Sequence, residues 1–367
     1  MRKTLLYLVI LAVLGAGIYF AFFRESTSSS FSDKEAGFNI KDTASIGKLF
    51  LVRPDGESVL LQRTDSGWML NNRYKALRST LDQLMGTLVK QMPLYPVTEA
   101  AKKNAMEVLS TEGVKIEIYD RAGKKMRVFH VGGTAVSGTG TNMLMDGAEK
   151  PYVVHVPGFN GYLTPRYTVR LTDWRDRTVF NIPQEEIKSI SVQYAGKPIN
   201  SYRLVREGGE LNVIADPSIM NMQPLNKRRA GVYVRAFTNV NCEGYLNGLP
   251  DMKATLETAP LQSTIEVTGL HGQHQRADIY WMAINKRSKN LQTTNPDVPD
   301  DYDSDRLYAV INGGNDTVMI QQFAFRNVFH KAYEFYQSDS ATGNMPAPPS
   351  NVIWKKGDKS VRANKTL

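Results

Sequence analysis

The stretch Lys48-Leu-Phe-Leu-Val-Arg53, Pro54-Asp-Gly56, Ser58-Val-Leu-Leu-Gln-Arg63, Asp65-Ser-Gly67, Trp68-Met-Leu70 decides the fold class. Three short runs of aliphatic and aromatic residues are separated by Pro-Asp-Gly and Asp-Ser-Gly triplets, the punctuation of a tight β-meander. Leu77, Leu81, Leu84, Leu88 and Met92 then recur at helical spacing and predict an amphipathic helix over about 74–91, stopped by Pro93 and Pro96. A second helix is expected over 98–109, with Thr98 as its N-cap and Gly113 beyond its end. Strands are expected at 114–120 and 126–131, joined by Arg121-Ala-Gly-Lys124, and again at 152–156.

The same order returns roughly 140–155 residues later. Strands at 189–194, 201–206 and 210–213 repeat the opening, and a helix over about 227–240 follows. Ile265-Glu-Val267 then answers Ile116-Glu-Ile118, and Tyr308-Ala-Val310 answers Tyr152-Val-Val154. No single offset fits, so the second copy carries insertions at 216–226 and 285–305. Strands with one polar face point to antiparallel sheets with helices packed on one side. The expected class is α+β: two divergent copies of a β-hairpin, helix and antiparallel β-meander unit after one N-terminal transmembrane helix.

The residues before this body suggest where it resides. Thr4 to Phe23 is an uncharged apolar run of 20 residues, long enough to span a bilayer core of ~30 Å. Small residues occur at Gly15, Ala16 and Gly17, but Ile-Tyr-Phe-Ala-Phe-Phe follows them, which fits a retained anchor better than a cleaved signal peptide. Arg2 and Lys3 would hold the N-terminus in the cytoplasm. The expectation is a single-pass inner-membrane protein, anchored through residues 4–23, with its body in the periplasm. The lone Cys242 excludes an intrachain disulfide framework and a cysteine-based zinc cluster. Arg2, Lys3 and Arg24 supply three of the formal net charge of +9, so nucleic acid is not an expected partner. The expected division is an anchor at 1–24, a Ser-rich flexible linker at 25–37, unit one at 38–175, unit two at 176–337, and a basic tail at 338–367. That tail, with Lys355, Lys356, Lys359, Arg362 and Lys365, could touch anionic lipid or glycan.

Phe38-Asn-Ile40 with Ile46-Gly-Lys-Leu49, Gly67-Trp68 with Asn71-Asn-Arg-Tyr74, Gly123-Lys124, and Pro151-Tyr-Val-Val-His-Val-Pro-Gly-Phe-Asn-Gly-Tyr162 carry a family likeness. Over residues 38–194 the chain resembles the domain of unknown function 4340 family in its Bacteroidetes form. The resemblance implies an envelope-located protein, in some members attached to auxiliary subunits of gliding-type ABC exporters. It implies no catalytic residue.

Candidate chemistry is sparse. Asp301, Asp303 and Asp305 alternate as oxygens do in a calcium loop, beside Asp297 and Asp300, but the turn glycine and later bidentate Glu are missing. Val131 to Thr141 resembles a phosphate cradle without the helix or Gly-Lys-Ser/Thr ending such a loop needs, and reads as a mobile loop between strands. His271 and His274 lack a third metal ligand, and Ser45-Ile-Gly-Lys48 lacks the downstream partners of a serine-lysine enzyme. Tyr162, Arg166, Tyr167, Arg170 and Trp174 form an aromatic and arginine cluster. Such a cluster can bind sugars, peptides or anionic head groups by stacking and charge-assisted hydrogen bonds, or it can fill a core between the two copies.

No cofactor is expected. The sequence points to a non-enzymatic, membrane-anchored scaffold or binding protein of the cell envelope, in envelope assembly, export or gliding-type machinery, with an envelope protein as partner. The alternative is an envelope hydrolase or transferase acting on glycan or peptide through acids such as Asp173 or Asp176. A small-ligand carrier would need an apolar cavity.

Overall fold

The computed structural model describes residues 33–291 and 297–337; the expected anchor at 1–24, most of the linker and the basic tail at 338–367 lie outside the described residues. The fold is mixed α+β, built mostly of antiparallel sheet with few helices. It divides into two compact units between Asp176 and Arg177.

In the first unit, α1 (Asp33–Ala36) precedes β1 (Ile46–Val52), β2 (Ser58–Thr64), β3 (Gly67–Leu70) and β4 (Tyr74–Lys75). Next come α2 (Arg78–Lys90), β5 (Met92–Pro96), α3 (Glu99–Thr111), β6 (Val114–Asp120), β7 (Lys125–Thr134), β8 (Thr141–Met145), β9 (Tyr152–His155) and α4 (Leu171–Trp174). The nine strands form one sheet in the order β4-β3-β2-β1-β6-β7-β8-β9-β5. Each adjacent pair is antiparallel.

Local chemistry sets the element boundaries. Asn71 and Asn72 adopt left-handed backbone at φ 48° and 55° in a tight turn closed by the Arg73 N–H on the Leu70 carbonyl at 3.0 Å, so Tyr74 returns as strand β4 and α2 starts later than expected. The carbonyl of Trp174 accepts the Leu77 N–H at 2.6 Å, where α2 begins without a side-chain cap. Leu81, Leu84 and Leu88 then face the core, each buried side chain contributing about 1.5–3 kcal/mol. Pro93 and Pro96 do end α2, but the segment that holds them is an edge strand paired only with β9, where a missing N–H is tolerated.

The two long helices lie on opposite faces of this sheet, not on one side as expected. Tyr152 and Val154 of β9 point into the main core with Leu84 and Leu88 of α2, whereas Val153 between them packs with Ala105 of α3. Strand alternation puts those two sets on different faces. The linker expected at 25–37 also ends early: α1 occupies its last turn, and Ala36 is 5% exposed within the core.

The second unit contains β10 (Thr178–Phe180), β11 (Ile187–Tyr194), β12 (Tyr202–Glu207), β13 (Glu210–Ala215), α5 (Pro217–Met220), α6 (Lys227–Val234), β14 (Val240–Asn241) and β15 (Gly244–Tyr245). It ends with α7 (Met252–Thr258), β16 (Leu261–Gly269), β17 (His274–Ala283), β18 (Tyr302–Ile311), β19 (Asp316–Gln321) and α8 (Gln322–Phe325). Its main sheet runs β13-β12-β11-β16-β17-β18-β19-β15, and β10 pairs with β14 apart from it.

The first sheet places its first four strands in reverse order and the second its first three; in each a four-strand meander follows, then a strand from the intervening segment at the far edge. The pairing of β1 with β6 shifts register between Ile46 and Lys48, and that of β11 with β16 between Ile187 and Ser189. Arg63 Nε donates to the Ile46 carbonyl at 2.9 Å and Arg206 Nε to the Ile187 carbonyl at 3.0 Å. Their Nη2 atoms reach the carbonyls three residues earlier, Thr43 at 3.3 Å and Gln184 at 2.8 Å. One expected correspondence is off by a strand: Tyr152–His155 is the fourth strand of its meander, while Tyr308-Ala-Val310 lies in the third.

Candidate functional site

The aromatic and arginine cluster expected from sequence is split between core and surface. Tyr167 and Trp174 are both 0% exposed in the first unit's core, so neither offers a binding face. Tyr167 Oη donates to Gln91 Oε1 at 2.5 Å, and Trp174 Nε1 donates to the Thr168 carbonyl at 2.8 Å. These bonds satisfy the polar end of each ring, as burial demands. Arg166 stacks over Phe159 at 4.4 Å and donates to Thr87 Oγ1 at 2.8 Å. Arg170 pairs with Asp173 at 3.0 Å. Tyr162 remains at the surface, 47% exposed.

Two of the three aspartates of the expected calcium triplet are already charge-paired. Asp303 is fully buried and receives Arg287 Nη2 at 2.7 Å, and Asp305 receives Nη1 of the same arginine at 3.0 Å. The other oxygen of Asp303 accepts the backbone N–H groups of Asp305 and Arg306 at 2.9 and 3.0 Å. Asp301 sits in an exposed turn outside this arrangement. Among the described residues no group of three or more His, Cys, Asp or Glu could hold a metal. His271 and His274 lie exposed at the β16–β17 hairpin tip.

The glycine-rich stretch holds the turn between β7 and β8, a connection between strands as expected. Gly140 N donates to the Gly161 carbonyl at 3.0 Å, Leu163 N to Thr141 Oγ1 at 2.6 Å, and Thr164 Oγ1 to the Gly132 carbonyl at 2.6 Å. The segment following Pro157-Gly-Phe159 therefore clasps the end of β7 and β8.

The best-built polar surface is one that the sequence reading passed over. Alternation along β6 buries Val114, Ile116 and Ile118 and turns Lys115, Glu117 and Tyr119 to the other face of the sheet. Glu117 accepts from Tyr119 Oη at 2.5 Å and lies 2.9 Å from Lys115 Nζ and 3.8 Å from Lys125 Nζ. Lys48 Nζ, from β1, sits 3.9 Å from the Tyr119 ring centroid. The Tyr119 hydroxyl, then the Lys115 ammonium, holds the Glu117 carboxyl below its usual range; the Glu117 bond raises Tyr119 in turn. Lys115 is raised by the same carboxylate.

Beside this group lies a shallow depression of about 520 Å³, largely open to solvent and lined by Lys125, Arg127, Val128, Met145 and Asp146 among others. His130 Nε2 lies 3.6 Å from Asp146 Oδ1 at its rim. Lys115 and Lys125 beside Glu117, with Lys48 over the Tyr119 ring, outnumber the Glu117 and Asp146 carboxylates, so this face keeps a small cationic excess for an anionic ligand and the Tyr119 ring adds a flat surface. The signal was available in Val-Lys-Ile-Glu-Ile-Tyr, whose period of two separates the charged set from the core set.

A second titratable group, missed at the sequence level, is interior. Burial, reinforced by nearby Arg229, lowers His330 to about 4, and burial raises its neighbour Glu334. Its signal was a His and a Glu four residues apart.

Comparison with protein-family models, curated proteins and solved structures finds no match to the chain. Among the described residues no helix is long and apolar enough to cross a membrane.

Proposed function

We propose that the chain is a membrane-anchored periplasmic scaffold or binding protein of the bacterial cell envelope, held through residues 4–23, that presents the outer face of its first sheet to an anionic envelope partner. The observation that carries the reading is the Lys48, Lys115 and Lys125 set around Glu117 and Tyr119, next to a shallow open depression. Interfaces of this kind gain specificity and association rate from charge complementarity rather than from area alone.

The two units are read as divergent copies of one ancestral unit. Support comes from the common strand order and from Arg63 and Arg206, which bind the same pair of carbonyl positions at the start of β1 and β11. Kinship with the domain of unknown function 4340 family is proposed on the Trp-Met-Leu-Asn-Asn and Pro-Gly-Phe-Asn-Gly-Tyr strings.

The test is crosslinking and pull-down of the full chain from native membranes, in wild type and in a Lys48→Glu, Lys125→Glu variant. The expected result is an envelope component recovered by wild type and lost by the variant. Recovery of no partner, together with turnover of a glycan or peptide by purified protein, would instead establish the hydrolase or transferase reading.

A further inference from the structure

The apolar edge of the first sheet has no covering element among the described residues. Met92, Leu94 and Tyr95 of edge strand β5 are 45%, 44% and 38% exposed. The β7–β8 turn adjoins them, since Tyr95 Oη lies 3.1 Å from Ser137 Oγ, and it carries Val136 at 89% exposure. Gly161 is tied to the same turn through Gly140, which brings Tyr162 to this end of the sheet. Single exposed apolar residues are ordinary, but a run on an edge with a tip residue beside it is a contact surface.

The path of the chain says what it contacts. The body begins at α1, which packs on β8, and Tyr152 Oη donates to Glu35 Oε2 at 3.4 Å. Tyr152 is the register partner of Pro96, so the chain joins the fold one strand from the apolar edge. From Phe23 to Asp33 the covalent chain reaches at most about 35 Å. An anchor at 4–23 therefore keeps this point of entry within about 35 Å of the bilayer, and β5 is the sheet edge nearer to it. Lys90, exposed at the end of α2, stands at the Met92 end of β5, where a cation suits anionic head groups; at the Pro96 end Lys150 and Glu149 balance. Tyr95 and Tyr162 are residues that suit the bilayer interface, with an apolar ring and a polar tip.

We infer that the β5 edge and the β7–β8 turn rest on the phospholipid surface, with Val136, Leu94 and Tyr95 in the head-group region, so that the first unit is oriented on the membrane rather than hung from it. This rests on the reading of residues 4–23 as an anchor. Docking of this sort draws on buried apolar area with a modest electrostatic addition.

The test uses the full chain in a Cys242→Ala background, with single cysteines at Ile18, Val136 or Ser66 carrying an environment-sensitive fluorophore. The chain is reconstituted in phosphatidylethanolamine and phosphatidylglycerol vesicles that contain lipid quenchers with shallow spin labels. Ser66 lies in the β2–β3 turn, and β2 is six strands from β5, roughly 29 Å across the sheet. The expected result is strong quenching at Ile18 and about threefold more quenching at Val136 than at Ser66, with Leu94→Glu removing the difference. Quenching at Ile18 with Val136 equal to Ser66 would overturn the docking and leave the anchor standing. No quenching at Ile18 would overturn both.

Discussion

His330 Nε2 lies 3.3 Å from Glu334 Oε2, and burial pushes both side chains toward their neutral forms. The pair closes the last described segment onto the second unit's core. Tyr233 of α6 packs its ring 4.8 Å from the imidazole, Tyr194 Oη donates to the His330 carbonyl at 2.9 Å, and Lys331 N donates to Glu334 Oε1 at 3.3 Å. Arg229, from α6, disfavours a proton on His330, while Lys331 and Asp297 form their own ion pair beside it.

This pair predicts an acid-sensitive second unit. His330 titrates at about 4 when folded and at 6.5 when unfolded, so between those values the unfolded chain binds the extra proton and stability falls as pH falls. The loss is ~3 kcal/mol at most. Glu334 acts in the opposite sense, because its raised folded value makes its contribution largest at low pH and removes it as pH rises through that value. Urea midpoints at pH 7 and 4.5 should fall more steeply for wild type than for His330→Gln. An unchanged acid slope in the variant would show that His330 is not the group responsible.

Tyr167→Phe should cost about 1–3 kcal/mol, since it leaves the buried Gln91 Oε1 without its donor. Gln91 would still donate to the Phe38 carbonyl at 2.6 Å, so the segment should stay docked. Tyr162→Ala, at an exposed position, should shift stability by less than about 0.5 kcal/mol. Denaturant unfolding separates a structural Tyr167 from a surface one.

How much of this the sequence could show depended on whether a pattern is local. Strand β6 was readable residue by residue because Val114-Lys-Ile-Glu-Ile-Tyr alternates cleanly, and the leucines of α2 give its buried face directly. Strand β8 was hidden by the glycines before it, and β5 by prolines that break a helix but suit an edge. The direction of Trp174 and Tyr167 depends on Gln91 and Thr168 and on a helix some eighty residues upstream, which no local spacing encodes. Asp303 carried the alternation of a metal loop, and only the return of Arg287 across the hairpin decides that its charge is already matched.

Calcium at millimolar concentration should leave the melting temperature unchanged, because Asp303 and Asp305 are both engaged by Arg287. Arg287→Met, by contrast, would remove the cation from a fully buried carboxylate that keeps its N–H donors, and should cost about 1.5–3 kcal/mol. Asp303→Asn should be milder, since an amide can keep an acceptor toward the Asp305 and Arg306 N–H groups. Thermal unfolding with calcium and with chelator checks the first expectation, and the ranking of the two variants checks the second. A calcium-dependent rise would revive a metal role for this loop.

The two sheets place a register shift at the same point, yet with different residues inside it. Gly47 fills the first, and a Cβ there would lie 2.6 Å from the Asp120 carbonyl oxygen and 2.7 Å from Arg121 Cα, both backbone atoms that cannot swing aside. Lys188 fills the second and is exposed, so that backbone accepts a side chain. Gly47→Ala should therefore force β1 away from β6 and cost about 1–3 kcal/mol. Lys188→Ala should stay within ~0.5 kcal/mol of wild type. Parallel urea titrations of the two variants measure the contrast. Equal losses would mean that the crowding at Gly47 is relieved by a small shift of the β6–β7 turn, and that the two register shifts are mechanically alike.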